Sequence, residues 1–231
     1  MIKLGSFLLG TCAAGALLCA AEPAHADTKL ELGFRTGYGI SLGKVDDEPD
    51  GEMSKAIKGQ VPLWFDLGAR FSDHYYLGAY FSYGFGIKGD AVKNLCASAE
   101  ALSPGVDLSC STRDLRFGIQ YLYHVKPPGQ LDPYFGVGLG YEWMAMDFTA
   151  SANGSSVSNT ETAHGLEFLN VQLGLDVPVA ESAALGPFAA FALGQYSGLS
   201  VSGDTTSASG EVANKTLHEW LFFGLRGTFA L

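Results

Sequence analysis

Charged residues are scarce in this chain of 231 residues, at 16% against the ~25% that is usual for globular domains. The Lys and Arg residues form no tract, and the formal net charge is −10. A protein that binds duplex nucleic acid needs clustered basic residues, so the sequence excludes a nucleic-acid partner. After residue 26 no apolar run reaches about 18 residues, which excludes a membrane-spanning helix in that part.

What the sequence has in excess is glycine, 30 of 231 residues, together with 12% aromatic residues. So much glycine would weaken a coiled coil or a helical bundle. A disordered acidic chain would be poor in aromatic residues. Composition therefore indicates an ordered chain that is not a helical bundle.

The N-terminus predicts a secretory signal peptide at residues 1–26. Lys3 is followed by an apolar stretch over 7–21 and by an A-x-A cleavage pattern that ends at Ala26. The apolar stretch is shorter than the about 20 residues that span a bilayer as a helix. We therefore favour cleavage after Ala26 over a retained anchor, and the mature domain is then 27–231.

Of the four cysteines, Cys12 and Cys19 lie in the predicted signal peptide, which leaves Cys96 and Cys110. An exported chain meets an oxidising compartment, so this pair predicts a disulfide. The bridge closes a loop of about 15 residues, worth roughly 3 kcal/mol in the chain-entropy model. The alternative, a structural zinc site, would need more ligands than two thiolates with no nearby histidine.

Apolar residues recur at every second position through most of the mature chain. Between Gln60 and Phe71 the odd positions are apolar throughout, while the even positions carry polar or small residues and one tryptophan. This period of two predicts strands whose two faces meet different environments. Eight strands are predicted, at 30–43, 59–71, 75–88, 113–126, 133–147, 165–178, 187–199 and 217–231.

The connections between these strands fall into two classes that alternate along the chain. The short ones are 72–74, 127–132 and 179–186. The long ones, rich in Ser, Asp, Gly and Asn, are 44–58, 89–112, 148–164 and 200–216. This alternation is typical of an up-and-down barrel with turns at one rim and loops at the other.

The composition of the two faces indicates which one points outward. The less apolar face is too poor in charge to be a solvated exterior, and eight strands leave an interior just wide enough for side chains. We therefore expect the apolar face to meet lipid, and the large Trp64, Tyr76 and Trp220 to lie in the lumen. A soluble lipocalin-like barrel, with the apolar face inward, is the alternative. Aromatic residues beside the short turns suggest an interfacial belt, namely Phe71, Tyr75, Tyr123, Tyr134 and Phe229.

This orientation places four acids, four arginines and one histidine in the lumen. Isolated buried charges are costly, so we expect cross-strand ion pairs that plug the barrel. The alternative is that the same residues line a path for ions or small solutes. The predicted lumen network is Glu31, Arg35, Asp66, Arg70, Arg116, His124, Glu142, Asp176 and Arg226.

The signal peptide, the eight amphipathic strands and the four long connections at one rim resemble the small bacterial outer-membrane β-barrels. The nearest types are the OmpA transmembrane domain, the OmpX/Ail proteins and the outer membrane protein beta-barrel domain group. The resemblance implies an all-β fold, an eight-stranded antiparallel up-and-down transmembrane β-barrel in the outer membrane. It also implies that the last strand, from Leu217 to Leu231, is recognised by the barrel-assembly machinery.

For the function we expect a structural or envelope-interaction role, with four extracellular loops around a plugged lumen. The expected partners are outer-membrane lipid and lipopolysaccharide, and the sequence names no extracellular partner for the loops. A narrow channel or carrier for small or lipophilic solutes is the first alternative. A lipid-modifying enzyme is the second, using a loop serine with His164, Glu167, His218 or Glu219 near the rim. We predict no catalytic residue, no cofactor and no metal.

Overall fold

The computed structural model describes residues 28–49, 51–204 and 207–231, so the predicted signal peptide lies outside the described residues. No helix in these three ranges is both long and apolar enough to cross a bilayer. The elements are β1 (Lys29–Gly43), α1 (Met53–Ala56), β2 (Ile57–Phe71), β3 (Tyr75–Lys88), α2 (Asp90–Leu102), β4 (Asp107–His124), β5 (Asp132–Ala152), β6 (Ser155–Ala180), β7 (Ala183–Gly203), β8 (Ser207–Glu211) and β9 (His218–Ala230).

Eight strands form a closed antiparallel ring. Strands β1 to β7 each pair with the next strand along the chain, β9 pairs with β7, and β1 pairs with β9 to close the sheet. The short β8 pairs with the far end of β7. This confirms the predicted eight-stranded up-and-down barrel. We call the rim with the connections β2–β3, β4–β5 and β6–β7 the turn end, and the opposite rim the loop end.

The two faces of each strand are separated as the period of two predicts. Along β1, Leu30 and Leu32 are 46% and 41% exposed, whereas Glu31 and Arg35 are 3% and 0% exposed. Because a closed barrel hides only its inner face, the buried polar set lies in the lumen and the apolar set covers the outside. The predicted orientation of the faces is therefore confirmed.

Aromatic side chains ring the outside of the barrel near both rims. At the turn end, the ring of Tyr123 contacts those of Tyr75 and Phe135. At the loop end, Tyr141 and Trp143 pack with ring centroids 4.5 Å apart. We call these rings the turn-end belt and the loop-end belt.

One residue assigned from sequence to the belt lies elsewhere. Tyr134 is only 2% exposed, and its ring lies 4.6 Å from the guanidinium carbon of Arg226 in the lumen. The physical reason is the alternation itself, since Phe135 takes the outward position next to it. The prediction for Tyr134 is therefore wrong.

The predicted long loop at 148–164 is also wrong. Strands β5 and β6 continue to a connection of two residues, Asn153 and Gly154, which have φ of 51° and 79°. Two consecutive residues with positive φ are the requirement of a tight hairpin turn of type I′. Because a membrane strand needs only about 9–11 residues in the hydrocarbon, these strands of 21 and 26 residues project beyond the loop-end belt.

The other loop-end connections are partly ordered as well. The disulfide Cys96–Cys110 confirms the predicted bridge and ties α2 to the start of β4. The amide of Gly89 donates to the carbonyl of Ala56 at 2.9 Å, which joins the start of α2 to the end of α1. The loop end is therefore a set of connected elements rather than four separate coils.

Candidate functional site

The lumen is filled by polar side chains arranged in three layers along the barrel axis. The structure places all nine sequence-predicted lumen residues inside the barrel, with none more than 7% exposed. We call the three sets the turn-end layer, the middle layer and the loop-end layer. Each is built around one or two arginines, and the packing of each decides what can pass along the axis.

The turn-end layer holds two arginines between three carboxylates. Arg226 contacts Asp176 at 2.9 Å and Glu31 at 3.0 Å. Arg70 contacts Asp132 at 2.7 Å and Glu31 at 3.7 Å. Glu31 therefore links the two arginines, and the five side chains close the lumen near the short turns of the sheet.

His124 completes this layer and creates a cluster with ligand-like geometry. Its Nδ1 lies 2.7 Å from Asp132 Oδ2 and 3.9 Å from Asp176 Oδ2, so the three groups are close enough to hold a metal ion. Both carboxylates already accept hydrogen bonds from guanidinium groups, Asp132 from Arg70 and Asp176 from Arg226. Because a cation would compete with two fixed cations, the arrangement favours an ion-pair cluster over a metal site.

The middle layer crosses the full width of the lumen. Arg35 on β1 donates to Asp66 on β2 at 2.6 Å and to Gln172 on β6 at 2.7 Å. Gln120 on β4 donates to Asp66 at 2.8 Å. The guanidinium of Arg35 also lies 3.9 Å from the ring centroid of Trp64, a cation–π distance. Side chains from four strands are thus joined across the axis.

The loop-end layer has more negative than positive charge. Arg116 contacts Asp114 at 2.7 Å, Glu142 at 3.0 Å and Glu167 at 3.0 Å, so three carboxylates surround one guanidinium. All four side chains are at most 2% exposed. The pairing of Arg116 is therefore the main compensation for the burial of these acids.

Glu142 accepts three further contacts in the same layer. Tyr196 donates from its hydroxyl at 2.6 Å, Trp220 donates from its indole N–H at 2.9 Å, and Nε2 of His218 lies at 2.9 Å. The rings of Tyr196 and His218 stack with centroids 4.0 Å apart. These contacts fix the position of the carboxylate by hydrogen bonds from three side chains.

The structure divides the four residues that sequence considered for an enzyme. Glu167 and His218 are buried in the lumen, and Glu219 is half-buried next to His218. His164 accepts or donates a hydrogen bond with the Tyr141 hydroxyl at 2.7 Å in the loop-end belt. The hydroxyl of Ser197 donates to the backbone carbonyl of His164 rather than to its ring. Within residues 28–49, 51–204 and 207–231, no serine hydroxyl is hydrogen-bonded to a histidine ring, so these residues do not form a Ser–His–acid arrangement.

Sequence reasoning missed several charged lumen residues, for different reasons. Asp114 lies in phase with Arg116 on a predicted strand, so the period of two could have identified it. Glu167 could not be found in this way because the register of β6 shifts between Glu167 and Leu169. Counting back from Asp176 in steps of two places Phe168 in the lumen instead. The further missed residues are Asp132, which the sequence pattern places in a turn, and His218, which it places at the rim.

A lid closes the lumen at the loop end. Met53 of α1 and Ile57 at the start of β2 are both fully buried and pack in one cluster with Met144 and Trp220. The hydroxyl of Ser41 donates to the carbonyl of Ile57. The short helix is thus attached to the barrel wall and covers the loop-end layer.

Residues 11–186 match the family described as the outer membrane protein beta-barrel domain. A major outer membrane protein of Thermus thermophilus is similar in fold, with a TM-score of 0.51 over 87% of this chain and 99% of that chain at 13% identity. Neisserial surface protein A gives a TM-score of 0.43 over 87% and 95% at 13% identity. The outer membrane protein AlkL gives 0.46 over 88% and 90% at 16% identity. At such identities the likeness concerns the fold alone. No curated protein matches the chain.

Proposed function

Because the chain belongs to the outer membrane protein beta-barrel domain family, we propose that it serves the bacterial outer membrane as a plugged, non-conducting barrel that presents an ordered loop end for interaction. In barrels of this membrane the short turns face the periplasm and the loops face the exterior. The loop end is then the extracellular end. The proposed role is to support the envelope and to bind partners through the loop end, rather than to act as an open pore.

The observation that carries the proposal is the continuous filling of the lumen. An ion that moves along the axis would have to separate Arg226 from Asp176, Arg35 from Asp66 and Arg116 from Glu167 in succession. Each of these pairs is buried, and a buried charge that loses its partner is strongly destabilised. The lid formed by Met53 and Ile57 adds an apolar barrier above them. The stacking of three polar layers under one apolar layer therefore favours a plug over a path.

The order of the loop end supports the interactive part of the proposal. Two helices, a disulfide and a projecting hairpin lie on the extracellular side. A surface fixed in this way loses little conformational entropy when a partner binds, which favours binding. The loop end is therefore suited to present one defined surface to its surroundings.

The test is conductance through planar lipid bilayers in concentrated KCl. We expect the wild-type protein to insert without stepwise currents. The double variant Arg35→Ala/Trp64→Ala removes the largest side chains of the middle layer, and we expect it to give small steps. Arg113→Ala is the matched control, because Arg113 pairs with Asp147 outside the lumen and is 41% exposed.

Stable current steps in the wild-type protein would contradict the plug if the current passes through the lumen. A step size that changes in the middle-layer variant and not in the control would show that it does. Heat-modifiable migration on gels confirms that each variant is folded before it is measured. Silent wild-type bilayers together with a conducting double variant would support the proposal, because they place the barrier in the lumen.

A further inference from the structure

The extracellular side of the lid bears a cavity that the plugged barrel does not explain. It encloses about 380 Å³ between α1, α2 and the projecting parts of β5, β6 and β7. This volume falls within the ~300–1,000 Å³ range of small-molecule sites. We call it the vestibule pocket, and its main apolar lining is Val92, Leu95, Met144, Met146, Phe148 and Leu199.

The walls of the vestibule pocket are mainly apolar although they lie beyond the loop-end belt. Met146 and Phe148 are on the inner face of β5, two and four residues after Met144, which is buried in the lid cluster. Leu199 of β7 is 39% exposed and Leu95 of α2 is 57% exposed. Outside the bilayer these side chains face water, so a molecule that covers them gains the hydrophobic effect.

Helix α2 is placed to present its apolar side to the pocket. Val92 is 3% exposed and anchors the helix, and Leu95 follows three residues later on the same side. Cys96 joins the helix to Cys110 of β4. The wall that contains Leu95 is therefore held in position by a covalent bond and by the buried Val92.

The charges around the vestibule pocket select the class of ligand. Among the residues that the structure describes, three carboxylates line it, those of Asp46, Glu52 and Glu161, and Lys55 is the single cationic side chain of the lining. Lys55 itself contacts Glu52 at 3.9 Å. The excess of negative charge disfavours an anionic ligand such as a fatty-acid carboxylate and accepts a neutral or cationic one.

We propose that the vestibule pocket is a binding site for a small lipophilic molecule, neutral or cationic, at the cell surface. The apolar walls supply affinity, and the acidic lining supplies discrimination by charge. The lid residues Met53 and Ile57 separate this site from the lumen. The proposal therefore holds whether or not the lumen conducts, and its failure is distinct from the failure of the plug.

The test uses two fluorescent probes with the same aromatic skeleton, on the full barrel in lipid nanodiscs. N-phenyl-1-naphthylamine is neutral, and 1-anilinonaphthalene-8-sulfonate carries a sulfonate. We expect saturable binding of the neutral probe to one site, above the signal of nanodiscs without protein. We expect the sulfonate to bind at least about tenfold more weakly, because it meets an acidic lining. Equal or tighter binding of the sulfonate would overturn the assigned ligand class.

Two hairpin variants locate the probe. Met146→Glu puts a charge on the pocket wall and should weaken the neutral probe at least about tenfold, since a carboxylate in an apolar site is costly. Val157→Glu is the matched control, because Val157 lies on the same hairpin, is 51% exposed and does not line the pocket. Equal affinities in these two variants, or a wild-type titration that matches nanodiscs without protein, would overturn the proposal.

Reduction of the disulfide gives a measurement that needs no substitution. Breaking the Cys96–Cys110 bond frees α2, so the neutral probe should bind several-fold more weakly and recover after reoxidation. The barrel should keep its heat-modifiable migration throughout, because Cys110 lies in the projecting part of β4, which pairs with β5 beyond the end of the β3–β4 ladder at Arg113. An affinity that does not change on reduction would contradict the role of α2 as a wall of the site.

Discussion

Strand β5 passes through two regions that treat its side chains in opposite ways. On the bilayer side of the loop-end belt, its inner face carries the buried acid Glu142 and its outer face carries the exposed Leu139. Beyond the belt, the inner face carries Met146 and Phe148, while Asp147 on the outer face pairs with Arg113. The strand is continuous, so the inversion follows the medium and not the secondary structure.

The physical cause is that lipid favours apolar side chains on the outer face of the sheet, whereas water favours them on the inner face. In the bilayer the outside must be apolar, and the polar side chains have to find partners near the axis. In water the hydrophobic effect turns apolar side chains towards the concave inner face. The membrane region therefore depends on ion pairs in its lumen, and the projecting region depends on apolar burial. Each region should respond to a different kind of substitution.

The largest effect is expected from Arg116→Met in the loop-end layer. The substitution leaves Asp114, Glu142 and Glu167 buried around an apolar side chain, and breaking such a set costs about 3–5 kcal/mol. Urea-induced unfolding from phospholipid vesicles, followed by tryptophan fluorescence, measures this loss. A loss below about 1 kcal/mol would show that the lumen pairs do not support the barrel.

The matched control for this prediction is Arg113→Met. Arg113 also forms an ion pair with an acid, Asp147, but its side chain is 41% exposed. Exposed pairs contribute about 0–1 kcal/mol. The two arginines are three positions apart on β4, so the comparison separates burial from the mere loss of a positive charge.

A second effect is expected on the outer face, where lipid is the solvent. Leu139 lies between the two belts on β5 and is 55% exposed, and Leu139→Arg should cost about 2–4 kcal/mol because it brings a charge to the bilayer midplane. Val157 is 51% exposed on the projecting hairpin, and Val157→Arg should change the free energy of unfolding by no more than about 0.5 kcal/mol. The same vesicle assay measures both. Similar costs at the two positions would contradict the placement of the membrane boundary.

Most of the barrel could be predicted from the sequence because its signal is local. Alternation along β1, β2 and β4 needs no tertiary information, and it placed Arg35, Asp66 and Arg116 in the lumen. The seventh predicted strand, at 187–199, carries a weaker signal because it is apolar on both faces. Its inward Ala190 and Ala192 are small apolar residues that are at most 3% exposed, so they leave the lumen space for larger side chains.

The features that could not be predicted depend on register or on the medium. The shift between Glu167 and Leu169 inverts the phase of β6, and no single-strand pattern records it. The vestibule pocket could not be predicted because it depends on where the membrane ends. Beyond the loop-end belt, the inner face of β5 is apolar and borders water, so it can bind a ligand. The turn at Asn153 and Gly154 does have a local signal, because Asn-Gly is strongly favoured in two-residue hairpin turns. The polar composition of the residues around it favours a long loop instead.

The smallest effect is expected from Gly154→Val at the tip of the projecting hairpin. Gly154 has a φ of 79° and open space where a Cβ would stand, so a side chain there meets no neighbour and is strained only by its backbone conformation. That strain costs roughly 1–2 kcal/mol, and it acts on the hairpin alone because the barrel wall ends below it.

Gly210→Val on β8 is the matched control, since Gly210 also has open space but is not among the glycines with positive φ. We expect proteolysis to cut the hairpin faster in Gly154→Val than in the control, while both variants unfold from vesicles like the wild type. Equal cleavage rates would contradict the two-residue turn and would indicate that residues 148–164 form a flexible loop. The inner face of β5 would then not be held in place as a wall of the vestibule pocket.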